Sequence, residues 1–132
     1  MSERNLEIVR QIYIEWARGN FRAGPEHYDA DTVLVLRPEF PEAGAHRGPE
    51  AMRAYMTRFL EAWESVVIEG ESFLEAGDSV VVGVHQQAKG KGSGAPVQLR
   101  YFQVWTFHGS TVQRIESIQD RSDALEAAGL RE

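Results

Sequence analysis

The stretch from Pro96 to Asp120, PVQLRYFQVWTFHGSTVQRIESIQD, constrains the fold more than any other part of the chain. Up to His108 it alternates two sets of residues: Leu99, Tyr101, Gln103, Trp105 and Phe107 against Arg100, Phe102, Val104, Thr106 and His108. A repeat of two puts successive side chains on opposite faces of a strand. His108-Gly109-Ser110 reads as a turn in which Gly109 is free to take positive φ. A second strand, Thr111 to Asp120, sets Val112, Arg114, Glu116 and Ile118 against Gln113, Ile115, Ser117 and Gln119. Neither face of this hairpin is purely polar, so both need cover. Helices can cover one face and another subunit the other.

The earlier chain supplies the helices. Leu6, Val9, Ile12, Tyr13, Trp16 and Ala17 recur at steps of three and four, which predicts a helix over 2–18. Ser2 is its expected N-cap, Glu3 sits in its first turn, and Gly19-Asn20 ends it. Residues 21–28 read as a short second helix or turn, and 31–37 (DTVLVLR) as a strand stopped by Pro38. Residues 38–47 carry two prolines and Gly44 and read as a loop. Gly48-Pro49-Glu50 opens a long helix with Met52, Tyr55, Met56, Phe59, Leu60 and Trp63 on one face. Strands follow over 66–76 and 79–89, then the loop 90–96 and the hairpin. The tail after Asp120 has room for a short helical piece at 125–130. Helices first and four long antiparallel strands after them imply α+β, in one domain spanning 1–132.

Composition excludes several functions. The formal net charge is −6, with 20 acidic residues against 14 Lys and Arg. Nucleic acid and anionic membranes both demand a basic patch, so neither is expected as a partner. The sequence contains no cysteine, hence no disulfide framework and no thiolate chemistry. The charged N-terminus has no apolar signal region, and the cytoplasm is the expected location.

The punctuation between elements resembles the nuclear-transport-factor-2-like (NTF2-like) superfamily, and within it the SnoaL-like group. The matching pieces are Arg18-Gly19-Asn20, Tyr28-Asp29-Ala30-Asp31, His46-Arg47-Gly48-Pro49-Glu50-Ala51, Ala76-Gly77-Asp78 and Val104-Trp105-Thr106-Phe107-His108-Gly109. The resemblance implies a cone: a strongly curved, mostly antiparallel sheet wrapped around three N-terminal helices, with a pocket between its concave face and the helices. Many such proteins are homodimers through the convex face. Activities include steroid isomerisation, polyketide cyclisation and epoxide hydrolysis, while other members only bind, so the fold leaves function open.

Carried over residue by residue, the resemblance gives no catalytic carboxylate. The oxyanion-hole Tyr of isomerase-like members falls on Ile12, with Tyr13 one residue away. Their strand Asp falls on Gln103, and their base on Leu36 or Arg37. The last-strand Asp of cyclase-like and epoxide-hydrolase-like members falls on Ser117, whose hydroxyl is no acid near neutral pH. The expected function is therefore binding of a small apolar or polycyclic molecule in an aromatic pocket. The alternative is a SnoaL-like enzyme, of cyclase, isomerase or epoxide-hydrolase type, with other acid–base residues.

The expected pocket draws Tyr101, Gln103, Trp105, Ser117 and Gln119 from the hairpin, and Tyr13, Trp16, Tyr55, Phe59 and Trp63 from the helices. The aromatics read equally as core filling. Arg37 reads either as an anion contact or as a partner of Glu39 or Glu42. His46 is the one imidazole placed near the pocket mouth, and reads either as an acid–base group or as a surface loop residue. His85 points outward if Val80, Val82 and Val84 point inward, and His108 sits in the turn. No two of these histidines and His27 have close ligand spacing, so no metal is expected, and no cofactor. Gly90-Lys91-Gly92-Ser93-Gly94 has no helix after it and reads as a hairpin loop rather than a phosphate cradle. Phe102, Val104 and Ile118 form an apolar patch on the opposite face, where a homodimer partner is the expected cover.

Overall fold

The computed structural model describes residues 2–130, without the side chains of Ser2 and Glu3, so the expected cap at Ser2 and the first-turn charge of Glu3 lie outside the described residues. In chain order the elements are α1 (Ser2–Ala17), a 3-10 turn (Pro25–His27), β1 (Tyr28–Leu36), β2 (Gly44–Arg47), α2 (Pro49–Glu61) and β3 (Trp63–Ala76). Then come β4 (Ser79–Gly90), β5 (Pro96–His108), β6 (Thr111–Ile118) and α3 (Arg121–Ala127). The strands form one curved sheet in the order β2-β1-β6-β5-β4-β3. Only β1 and β6 run parallel; every other pairing is antiparallel, as an NTF2-like α+β cone requires.

The apolar stripe of α1 is the inner packing surface. Val9, Ile12, Tyr13 and Trp16 are all buried, against Val80, Val82 and Val84 of β4 and Tyr101 and Trp105 of β5. Gly19 ends α1 at φ 90. Its N–H bonds to the Trp16 carbonyl at 2.9 Å and that of Asn20 to the Glu15 carbonyl at 2.9 Å, a left-handed cap that glycine adopts without strain. Pro49 starts α2, where its missing N–H costs nothing, and Met52 enters the same core.

Several expected boundaries move. The second helix is a single 3-10 turn, and β1 begins at Tyr28 rather than Asp31. The segment 38–47 is not all loop: Gly44–Arg47 forms β2, pairing with Val33–Leu36. A four-residue edge strand has no periodicity of its own, and tertiary pairing alone defines it. Trp63 is not on α2 but opens β3, opposite Gly90.

The pairing register also slips at several places, and two of them matter for the site. Between Gly70 and Ser72 of β3 the register slips, leaving Glu71 as an extra residue. In β6, Arg114 opposes Thr106 but Val112 opposes Phe107, so Gln113 is extra. Val112 therefore turns into the core with Ile115, away from the face shared by Arg114, Glu116 and Ile118, and Gln113 is exposed. A β-bulge reverses the facing of everything on one side of it.

The largest correction concerns the convex face. Asp120 caps α3, its carboxylate accepting from the backbone N–H of Ser122 at 2.8 Å. The helix lies on that face and packs Ala124 into a second cluster with Val81, Val104 and Ile118, with Phe102 and Ala128 at its margin. The patch expected to need a second subunit is thus covered from within the chain. Glu116 pairs within the chain with Arg37 at 2.9 Å and with Arg114 at 3.2 Å. Among the described residues no helix is long and apolar enough to cross a membrane.

Candidate functional site

The floor of the cone is a closed hydrogen-bond relay. Trp105 Nε1 donates to the Tyr13 hydroxyl at 3.0 Å, that hydroxyl donates to Gln103 Oε1, and Gln103 Nε2 donates to Ser117 Oγ at 3.1 Å. Tyr13, one residue beyond the position counted from Gly19, is thus the residue that reaches Gln103. Beside this relay the Tyr101 hydroxyl donates to Gln86 Oε1 at 3.0 Å, and Trp16 Nε1 to the Ala23 carbonyl at 3.2 Å. Gln103 and Ser117 share the concave face with Trp16, as expected, but the polar atoms of the floor are spent on one another. Among the described residues the buried polar side chains Asn5, Thr32, Ser79, Gln86, Gln103 and Ser117 are all uncharged. Leu36, one of the two positions for a base, is buried, and Arg37, the other, faces Glu116 on the opposite side.

Burial governs the phenols as well. Removal from water raises the pKa of Tyr13, Tyr28, Tyr55 and Tyr101, because the phenolate loses more hydration than the phenol. In the unfolded chain a tyrosine ionises near pH 10, so below that pH both states are neutral and the stabilisation is complete. Above it the unfolded state loses protons that the native state keeps, and stability falls by about 1.4 kcal/mol per pH unit for each of the deeply buried phenols of Tyr13, Tyr28 and Tyr101, and by less for the partly exposed Tyr55. Absorbance at 295 nm should therefore show phenolate appearing together with loss of structure. Phenolate appearing well before unfolding would contradict these raised values.

At the β2 edge, His46 shares the face of Leu34, and its ring centroid lies 5.0 Å from that of Tyr55. Tyr55 stacks on Phe59 at 6.2 Å, and His46 Nε2 donates to the Glu42 carbonyl at 3.1 Å. Arg58 holds the Glu42 carboxylate at 2.7 Å, and Phe40 meets the ring of Tyr101 edge-on at 5.3 Å. Two expected pocket residues lie elsewhere. Arg37 is tied to Glu116, and Gln119 is exposed beyond the end of β6, where the chain turns toward α3. Trp63 is partly exposed at the start of β3. His85 points outward, with Nε2 3.1 Å from Gln98 Oε1, and His108 is exposed.

A cavity of about 250 Å³ lies at the other edge of the sheet, between α1 and β3. α1 contributes Arg10, Tyr13, Ile14 and Ala17; β3 contributes Glu69, Gly70 and Phe73. Of these only Tyr13 was expected at the pocket from the sequence. The cavity depends on the bulge: Phe73 folds back over Gly70, where an added Cβ would come within 2.5 Å of its ring. The available signal was Gly70, an isolated glycine inside a strand, which marks a bulge or a close approach. The Tyr13 ring meets Phe73 edge-on at 5.8 Å as the inner wall, and the Arg10 guanidinium lies 5.6 Å from the Phe73 centroid at the rim.

Residues 9–115 match the family model of the SnoaL-like domain. No curated protein matches significantly. Among solved structures, TerC co-crystallised with polyporic acid is similar at 18% identity and TM-score 0.75, over 95% of this chain and 98% of that one. A hypothetical protein with a ketosteroid isomerase-like fold from Catenulispora acidiphila DSM 44928, in complex with trimethylamine, aligns at 21% identity and TM-score 0.73, over 94% and 93%. A protein named as a SnoaL-like polyketide cyclase from Jannaschia sp. CCS1 aligns at 19% and 0.73, over 99% and 95%. Identities this low speak for the fold alone.

Proposed function

The chain belongs to the SnoaL-like domain family, and from that premise we propose that it is a small-molecule-binding protein which takes an apolar, ring-sized ligand between α1 and β3. The cavity there carries the reading. Its inner wall is aromatic and aliphatic, and the Tyr13 hydroxyl is already saturated by Trp105 and Gln103, so the interior offers ring surface rather than hydrogen bonds. A volume near 250 Å³ is below the ~300–1,000 Å³ of drug-sized sites, yet above the ~150 Å³ that holds benzene in an apolar void. One ring with a short side chain suits it better than a polycycle.

Binding is favoured over catalysis. The His46 imidazole lies on β2, the sheet edge opposite β3, and the floor carries no ionised group among its buried polar side chains. Crystal complexes of similar folds with polyporic acid and with trimethylamine support small-molecule binding as the coarse function. Action in the cytoplasm as a homodimer belongs to the same proposal. With α3 seated on Val104 and Ile118, such a dimer would use the uncovered strip around Leu74 and Val67, two exposed apolar residues on the outward face of β3.

Calorimetric titration with neutral one-ring compounds tests the binding reading. A ligand of about ten heavy atoms should bind with a Kd on the order of 0.1–1 mM. Ala17 is an exposed residue at the end of α1, so Ala17→Phe should leave the fold intact, fill the cavity, and weaken binding about tenfold or more. Native protein that binds no such compound, or a variant that binds equally well, would overturn the proposal.

A further inference from the structure

We propose that the ligand of the α1–β3 cavity is an amphipathic monocarboxylate, its apolar body inside and its carboxylate on Arg10; this rests on the cavity being the binding site. Arg10 is the arginine that lines the cavity. Arg18, Arg37, Arg58, Arg100 and Arg114 each lie within 4.0 Å of a carboxylate, but among the described residues none lies that close to Arg10. Its guanidinium is nonetheless positioned, over the Phe73 ring at the cavity rim. This cation–π contact favours one position of the guanidinium and lowers the entropy lost when a carboxylate binds in the two-pronged geometry that guanidinium favours.

The rest of the cavity enforces the same orientation. With the Tyr13 hydroxyl spent on the floor relay, a polar ligand group finds no side-chain partner at depth and must sit at the rim. Arg10 is the charge that stands there, and among the described residues no carboxylate pairs with it. The Glu69 side chain points to the outward face of β3, where it accepts from Gln87 Nε2 at 3.3 Å and faces His85 Nδ1 at 3.9 Å. An anion is therefore the charge that gains a new partner at the rim.

Phenylacetate and phenylacetamide distinguish the outcomes, because they share a ring and differ in charge. At low salt, phenylacetate should bind native protein about fivefold to tenfold more tightly, the ratio shrinking as salt rises. Arg10→Met keeps an apolar stem over Phe73 and should bring the ratio to about one while phenylacetamide still binds, which also reports an intact cavity. If phenylacetamide binds native protein as well as phenylacetate does, or if Arg10→Met keeps the preference, the carboxylate assignment falls and the apolar site stands. If neither compound binds, the site itself falls.

Discussion

Gln103→Leu should lower the stability of the native protein by about 2–3 kcal/mol, measured by urea unfolding, although leucine is the more apolar residue. The amide joins two groups that have no water to turn to. It accepts from the Tyr13 hydroxyl through Oε1 and donates to Ser117 Oγ through Nε2, and Tyr13 and Ser117 are 2% and 1% exposed. Leucine leaves the phenol proton without an acceptor, and an orphaned buried polar group costs roughly 1–3 kcal/mol. Tyr13→Phe should cost about 2 kcal/mol for a different reason: it removes the acceptor of Trp105 Nε1, which is also buried. The two losses should not add. Once the phenol is gone, Gln103→Leu has less left to orphan, so the double variant should be about 1 kcal/mol more stable than the sum predicts. Strict additivity, or a leucine variant as stable as native protein, would show that Tyr13 and Gln103 do not act together in one relay.

How far this relay was legible depends on which physical signal fixes each member. Gln103, Trp105 and Tyr101 belong to thirteen residues of uninterrupted strand, and alternation alone gave their common face. Ser117 came out right because the bulge at Gln113 lies on the turn side of it. Val112, on the other side of that bulge, came out reversed. Gln113 and Glu71 are ordinary polar strand residues, and a bulge is set by the twist and pairing of both strands, which one strand's sequence does not display. The same limit hid the cavity. Gly70 marked a close approach in β3, but that Phe73 was the approaching group, and Arg10 its cover, depends on contacts across about sixty residues of chain. The α3 helix was expected at 125–130 and lies at Arg121–Ala127, and its seat on the sheet was the more avoidable omission. Asp120 followed by Asp123, with Ala124, Leu125 and Ala128 on one side, is a cap and a short apolar face. Starting the helical piece at 125 rather than at the Asp120 cap left the convex patch without its cover.

That cover supports a test with an even larger effect. Ala124→Asp should destabilise the docked α3 by more than about 3 kcal/mol, because it forces a larger, charged side chain into a site where Ala124 is 0% exposed and packed on Val81, Val104 and Ile118. A helix of seven residues has no stability of its own in water, so once its contact fails it should melt rather than stay folded beside the sheet. The sheet keeps its concave core, since α1 and α2 are untouched, and the protein should remain folded with Val104 and Ile118 newly exposed. A contiguous apolar patch on a strand face then drives association. Sedimentation at several concentrations should show new, larger species for the variant, together with binding of a hydrophobic dye that native protein does not bind. Asp120→Ala, which removes only the cap, should cost about 1 kcal/mol and give neither effect. The comparison also bears on assembly. If native protein is a dimer through the uncovered strip of β3, the new species should form on top of that dimer. If Ala124→Asp dissolves a native dimer instead, then α3 or the face beneath it is the interface. A variant that sediments like native protein and unfolds at the same urea concentration would show that α3 does not hold the convex face closed.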